Sequence, residues 1–169
     1  MIRPILKYGA AGLHHPARDV EAITPEILAL IDDMVATMYA APGIGLAAPQ
    51  VGVPLRVFVV DLSVGKDPAA QITMINPVFL DREGMQLEEE GCLSVPGFNA
   101  TVSRPQRAVV RGLDREGCER QREGTGLLAR AFQHEMDHLD GRLFVDRIRG
   151  IKRDLIVRKI RKLAKSGQW

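Results

Sequence analysis

The chain of 169 residues is 46% apolar and 26% charged, with a net charge of +2 at pH 7, the composition of an ordinary globular protein and not of a disordered or low-complexity one. One domain spanning residues 1–169 is expected at this length, able to bury roughly two-thirds of its unfolded surface without disulfide staples. Cys92 and Cys118 make no disulfide framework, 5% aromatic content disfavours a base-stacking single-strand binder, and no apolar run approaches the roughly 20 residues of a membrane span.

The opening MIRPILKYGA has no basic stretch leading into an apolar core and a small-residue cleavage site, so a cytoplasmic location with reduced thiols is expected. A helix is expected from Thr24-Pro25, with Thr as N-cap and Pro in the first turn. Ile27, Ile31, Met34, Val35 and Met38 follow at helical spacing, and Gly43 to Gly45 ends the element. Leu55–Leu62 is β-branched and reads as a strand, with short strand segments at Ile72–Ile75 and Pro77–Leu80. Glu88-Glu89-Glu90 reads as a charge run ahead of Gly91-Cys92-Leu93-Ser94. Thr101–Ser103 and Ala108–Leu113 read as further strands, and Asp114–Gly117 as a turn.

Gly126–Leu139 reads as a helix stopped at Gly141, and Ile151–Lys165 as a last helix with Leu155, Ile156, Ile160 and Leu163 as its apolar stripe. Helices at both ends and inside, with short strands between, point to an α+β fold with antiparallel sheets. Residues 146–169 form a basic C-terminal helix region. Nine Lys/Arg and one acid, Asp154, lie between Arg147 and Trp169, net +8 against −6 for residues 1–146. Such asymmetry points to a polyanionic partner; the alternative is a solvated face that keeps the protein dispersed.

Three stretches carry chemistry. His134-Glu135-Met136-Asp137-His138 is an H-E-x-x-H run within the expected helix, so its two imidazoles share a face and can reach one metal ion while the Glu works on water. At about 100° per residue the histidines lie about 40° apart beside Leu127, Leu128, Ala131 and Phe132, the buried side, while Arg130, Gln133 and Asp137 point away. A hydrolytic site needs a third protein ligand. Downstream of His138 there is no further His and only Asp140 and Asp146 as acids, so the ordinary H-E-x-x-H peptidase arrangement is poorly supplied. Upstream stands Cys92, with Cys118 as its rival, and Cys with two His suits Zn²⁺ or Fe²⁺. The run Pro42 to Gln50 is not a phosphate loop, because it lacks the Lys-Ser/Thr and follows no strand. It reads either as a tight small-residue turn or as a backbone strip open to a ligand, with Gln50 as polar handle.

Taken together, Gly43-Ile44-Gly45-Leu46-Ala47-Ala48-Pro49-Gln50, Glu90-Gly91-Cys92-Leu93-Ser94 and Gln133-His134-Glu135-Met136-Asp137-His138 resemble, in order and spacing, the three motifs of the peptide deformylase family, in its first bacterial class. The resemblance implies antiparallel sheets around a central helix that carries both His ligands. It implies removal of the N-formyl group from new polypeptides that begin with formyl-methionine, releasing formate. Cys92, His134 and His138 would hold one divalent ion, Fe²⁺ in this family, with Zn²⁺, Ni²⁺ or Co²⁺ as substitutes. Glu135 would take a proton from metal-activated water and pass it to the leaving amine, and Gln50 with the Leu93 N–H would form the oxyanion hole. An extended substrate would pair with backbone near Ile44-Gly45 and Gly91 as an added strand. Its Met side chain would fill a pocket of Ile44, Leu128, Ala131 and Phe132, with Arg104 either further along the chain or in a surface ion pair. The basic helix would dock on ribosomal RNA. His14-His15 reads as a solvated pair. Two other readings compete: an H-E-x-x-H metallopeptidase, and a structural metal domain without catalysis.

Overall fold

The computed structural model describes residues 1–169. α1 spans Pro25–Ala40. Thr24 caps it, its Oγ1 accepting the Ile27 N–H at 3.4 Å. Leu30, Ile31, Met34 and Met38 are buried along one face. Burying each such side chain contributes roughly 1.5–3 kcal/mol, so packing rather than helix propensity holds α1 in place.

Seven strands follow: β1 (Gly45–Ala47), β2 (Val57–Val60), β3 (Ile72–Glu83), β4 (Gln86–Gly91), β5 (Asn99–Arg104), β6 (Arg107–Leu113) and β7 (Glu119–Thr125). Five of them form one sheet in the order β1-β2-β3-β6-β7, and β4-β5 form a separate pair. All pairings are antiparallel. β2 is buried at every position because the large sheet is covered on both faces. Val57 and Val59 pack with α1, whereas Phe58 and Val60 pack with Ala131, Phe132, Met136 and Leu139 of α2 (Leu127–Leu139). A third helix, α3 (Ile151–Lys165), seats Ile156 and Ile160 against Leu143, Phe144, Val145 and the β5 residues Ala100 and Val102. The α+β architecture with antiparallel sheets around the H-E-x-x-H helix is therefore present.

The structure corrects several expected elements. The two segments around Ile75 and Pro77 are one strand, β3. Asn76 adopts a left-handed φ of 53° between them and the register with β6 shifts there. The Asn76 side chain steadies this kink by bonding both the N–H and the C=O of Val20. The charge run before Gly91 is strand β4, and Glu119–Thr125, for which the sequence pattern indicated no element, is strand β7. Leu155 is exposed, and Val157 joins Ile156 and Ile160 on the packed side of α3 in its place.

α2 is wedged between the two sheets, and this overturns the expectation for its far side. Arg130, Gln133 and Asp137 are all buried. Arg130 donates to Glu90 and to the Val102 carbonyl, and Gln133 donates to the Pro105 carbonyl. Buried polar groups are tolerable only when bonded, and here the β4-β5 pair and Pro105, which follows β5, supply partners.

Candidate metal centre

α2 places His134 and His138 one turn apart, with their Nε2 atoms 3.3 Å from each other. Cys92 enters from the loop after β4 and sets its Sγ 3.3 Å from His138 Nε2. The three donor atoms all lie within 4.8 Å of one another. His134 Nδ1 lies 2.6 Å from Glu90 Oε1, so its proton faces Glu90 and Nε2 turns a lone pair toward the other two donors. A thiolate and two imidazole lone pairs brought so close repel unless a cation sits among them. Burial alone lowers the affinity of His134 for a proton, but Cys92 and Glu90 raise it well above the ordinary histidine value. Burial and the charge on His134 hold His138 well below it. The donor set thus fits a single divalent ion, and three protein ligands leave a position open, as in hydrolytic rather than structural sites.

Glu90 is gripped from three sides. Arg104 binds it through two bonds of 2.8 and 2.6 Å, Arg130 adds one, and His134 the last. Burial pushes its carboxyl up, but the bonds from Arg104 and His134 outweigh that and keep it well below the usual carboxylate range.

Gln50 sits on the short turn Ala48–Val51 with 1% of its surface exposed. Its Oε1 accepts the Ala47 N–H at 3.0 Å, which fixes the amide orientation. Nε2 then faces Ser94 Oγ at 3.1 Å and Cys92 Sγ at 3.7 Å. The N–H of Leu93, the residue between, donates to no protein acceptor. Glu135 is 3% exposed, and its Oε2 has no hydrogen-bond partner. Burial pushes its carboxyl up to about 7, against the pull of His134. Gly45 is required here: a Cβ at that position would lie 2.5 Å from Glu135 Oε1.

These groups open on a cleft of about 450 Å³, whose walls include Ile44, Gly45, Gly91, Leu93, Leu127 and Ala131. β1 is an edge strand of the large sheet and β4 pairs only with β5, so both present unpaired backbone.

A family model described as polypeptide deformylase matches residues 2–154. The peptide deformylase of Acidobacterium capsulatum is 50% identical over 169 residues, covering 100% of this chain and 99% of that one. The chain belongs to the peptide deformylase family. Among solved structures, a deformylase from Legionella pneumophila superposes with a TM-score of 0.92 at 43% identity, covering 99% and 98% of the two chains. One from Synechococcus elongatus, in complex with actinonin, does so at 0.88 and 39%, covering 95% and 90%.

Set against the deformylase expectations, Cys92, His134, His138, Glu135, Gln50, Leu93, Ile44, Gly45, Gly91 and Ala131 all gather at this one cleft. Three do not. Leu128 and Phe132 lie off the cleft, packed toward the core around Phe58, and Leu127, one step back on α2, lines the wall instead. Arg104 is 3% exposed and spends its guanidinium on Glu90 and Asp137, so it is neither a contact for an extended chain nor a surface ion pair. Cys118 is exposed in a turn. Asp140 pairs with Arg56, and Asp146 accepts the Leu143 N–H, so neither acid joins the cluster as a peptidase-type ligand would. Sequence reasoning missed Arg130, whose only signal was an arginine on the helix that carries the histidines. His14 accepts the Gly9 N–H at 3.0 Å and belongs to no metal cluster. No helix is long and apolar enough to cross a membrane.

Proposed function

We propose that Cys92, His134 and His138 hold one divalent ion, Fe²⁺ in the native protein with Zn²⁺, Ni²⁺ or Co²⁺ able to replace it, and that the cleft removes the formyl group from the N-terminal formyl-methionine of new polypeptides. The observation that carries this reading is Glu135: a buried carboxylate whose Oε2 has no hydrogen-bond partner, in the same cleft as three converging donors and the Gln50 amide. A structural metal site needs no such base and no open cleft. The bound ion supplies Lewis acidity for activating water and polarising the formyl carbonyl.

The chain's own groups do the rest. Glu135 takes the proton of the attacking water and returns it to the departing amine. Gln50 Nε2 and the Leu93 N–H donate to the carbonyl oxygen as charge gathers on it, and one such donor is worth about 3 kcal/mol in the transition state. The substrate runs between the edges of β1 and β4 as an added strand, reading backbone and leaving downstream side chains free. Ile44, Leu127 and Ala131 receive the methionine side chain. Residues 1–169 work as one deformylase domain in the cytoplasm, where α3 turns its exposed Lys152, Arg158, Lys159, Arg161 and Lys162 toward ribosomal RNA. Salt-sensitive ribosome binding, lost on reversing those charges, is the expected behaviour.

The deciding assay compares formyl-Met-Ala-Ser with acetyl-Met-Ala-Ser, using protein prepared without oxygen. Formate from the first and no product from the second supports deformylation. Cleavage of the Met-Ala bond in either peptide supports a metallopeptidase.

A further inference from the structure

The reading above leaves Arg147 without a task, although it is the residue through which the basic C-terminal region reaches the interior. Arg147 closes the short turn Phe144–Arg147, and its side chain is 38% exposed. It grips Asp137 with two bonds, Nε to Oδ2 at 3.0 Å and Nη2 to Oδ1 at 2.5 Å. Asp137 is 4% exposed, and its Oδ2 also accepts from Arg104 at 2.9 Å. Arg104 holds both oxygens of Glu90, and Glu90 Oε1 holds His134 Nδ1 at 2.6 Å. The charges alternate along this path, every interior member is at least nine-tenths buried, and each carboxylate is bonded through both oxygens. Asp137 stands between two guanidinium groups. Removing the outer one frees Asp137 and Arg104 to draw closer, and the strain falls on the Arg104–Glu90 contact that aims His134.

We propose that Arg147 is a positioning residue for the metal centre, setting the orientation of His134 through Asp137, Arg104 and Glu90. The inference rests on the assignment of His134 as a ligand. Partners that orient a ligating histidine typically change metal affinity 10- to 100-fold when removed; Arg147 acts from three contacts further out, so a smaller effect is expected.

The test uses the full chain and Co²⁺ as the probe, with affinity read by chelator competition and ligand geometry by the visible absorption of the bound ion. Arg147→Ala is expected to weaken Co²⁺ binding roughly three- to tenfold and to alter the absorption band. Arg147→Lys, which keeps a charge against Asp137, is expected to stay within about twofold of wild type. In an Asp137→Asn background the Arg147→Ala effect is expected to vanish, because the path runs through that carboxylate. Should Arg147→Ala not fold, Arg147→Gln takes its place with the same expectations. Wild-type Co²⁺ affinity and spectrum in the neutral variant, or an equal loss persisting in Asp137→Asn, overturns the proposal whatever happens to thermal stability. Failure of wild-type protein to bind Co²⁺ at all, or retained binding in Cys92→Ser, counts instead against the assignment of the three ligands.

Discussion

Glu90 Oε1 lies 2.6 Å from His134 Nδ1 while the same carboxylate is held by Arg104 and Arg130, so one buried acid both aims a candidate metal ligand and pairs with two buried arginines. Glu90→Gln is expected to weaken metal binding by tenfold or more and, by leaving both guanidinium groups short of charge, to cost about 3–5 kcal/mol of stability. Because its folded-state pKa lies below the ordinary value of 4.5, Glu90 contributes stability that is present above that pH and lost as pH falls through the lower folded value. Thermal melts of metal-free protein from pH 7 downward check this: the wild-type melting temperature falls in acid, and the variant's changes less.

Glu135 has the opposite sign. Its carboxyl titrates near 7 when folded and nearer 4.5 when unfolded, so the metal-free folded state binds an extra proton and loses stability as pH rises through that window. Glu135→Gln is expected to raise the melting temperature of metal-free protein at pH 8 by several degrees and to leave it unchanged at pH 4. Calorimetry at the two pH values separates this from a general effect of the substitution.

Gln50 is fixed at both ends, by the Ala47 N–H and by Ser94 Oγ. Gln50→Ala is expected to lower kcat by about 10²–10³ with little change in KM, the mark of a donor that acts as charge develops. Ser94→Ala removes only the acceptor that aligns the amide and is expected to cost less. Steady-state kinetics on a formylated tripeptide measure both.

Leu127 and Leu128 are neighbours with different tasks. Leu127 is 54% exposed and lines the cleft, whereas Leu128 packs toward the core. Leu127→Ala is expected to raise KM for a formyl-Met peptide roughly tenfold at nearly constant kcat. Leu128→Ala is expected to lower the melting temperature and leave KM alone. Kinetics and melts on the pair test the methionine pocket.

Elements with a one-sided or β-branched pattern were legible in the sequence: α1 from its Thr24-Pro25 start, β2 from its valines, α3 from Ile156 and Ile160. β4 and β7 were not, because Gln86-Leu87-Glu88-Glu89-Glu90 and Glu119-Arg120-Gln121-Arg122-Glu123 show no apolar alternation. They are strands through ladder hydrogen bonds to β5 and β6, and pairing is a tertiary fact. The cluster of Cys92, His134 and His138 was legible because chemistry restricts residue type and α2 restricts spacing. Arg104 was misplaced because an isolated arginine in a strand announces nothing about Glu90, 14 positions earlier, or Asp137 on another element. Arg130, Gln133 and Asp137 were misplaced because α2 was treated as a surface helix with a wet side, whereas a helix between two sheets buries residues on both sides.

The measurement that bears most directly on the account follows formate release and bound metal together in wild type, Cys92→Ser and Glu135→Gln, all prepared without oxygen. One tightly held ion and rapid formate release are expected in wild type, the ion weakened or lost with activity in Cys92→Ser, and the ion retained with activity nearly abolished in Glu135→Gln. Full metal content and turnover in Cys92→Ser, or rapid turnover in metal-loaded Glu135→Gln, would contradict this.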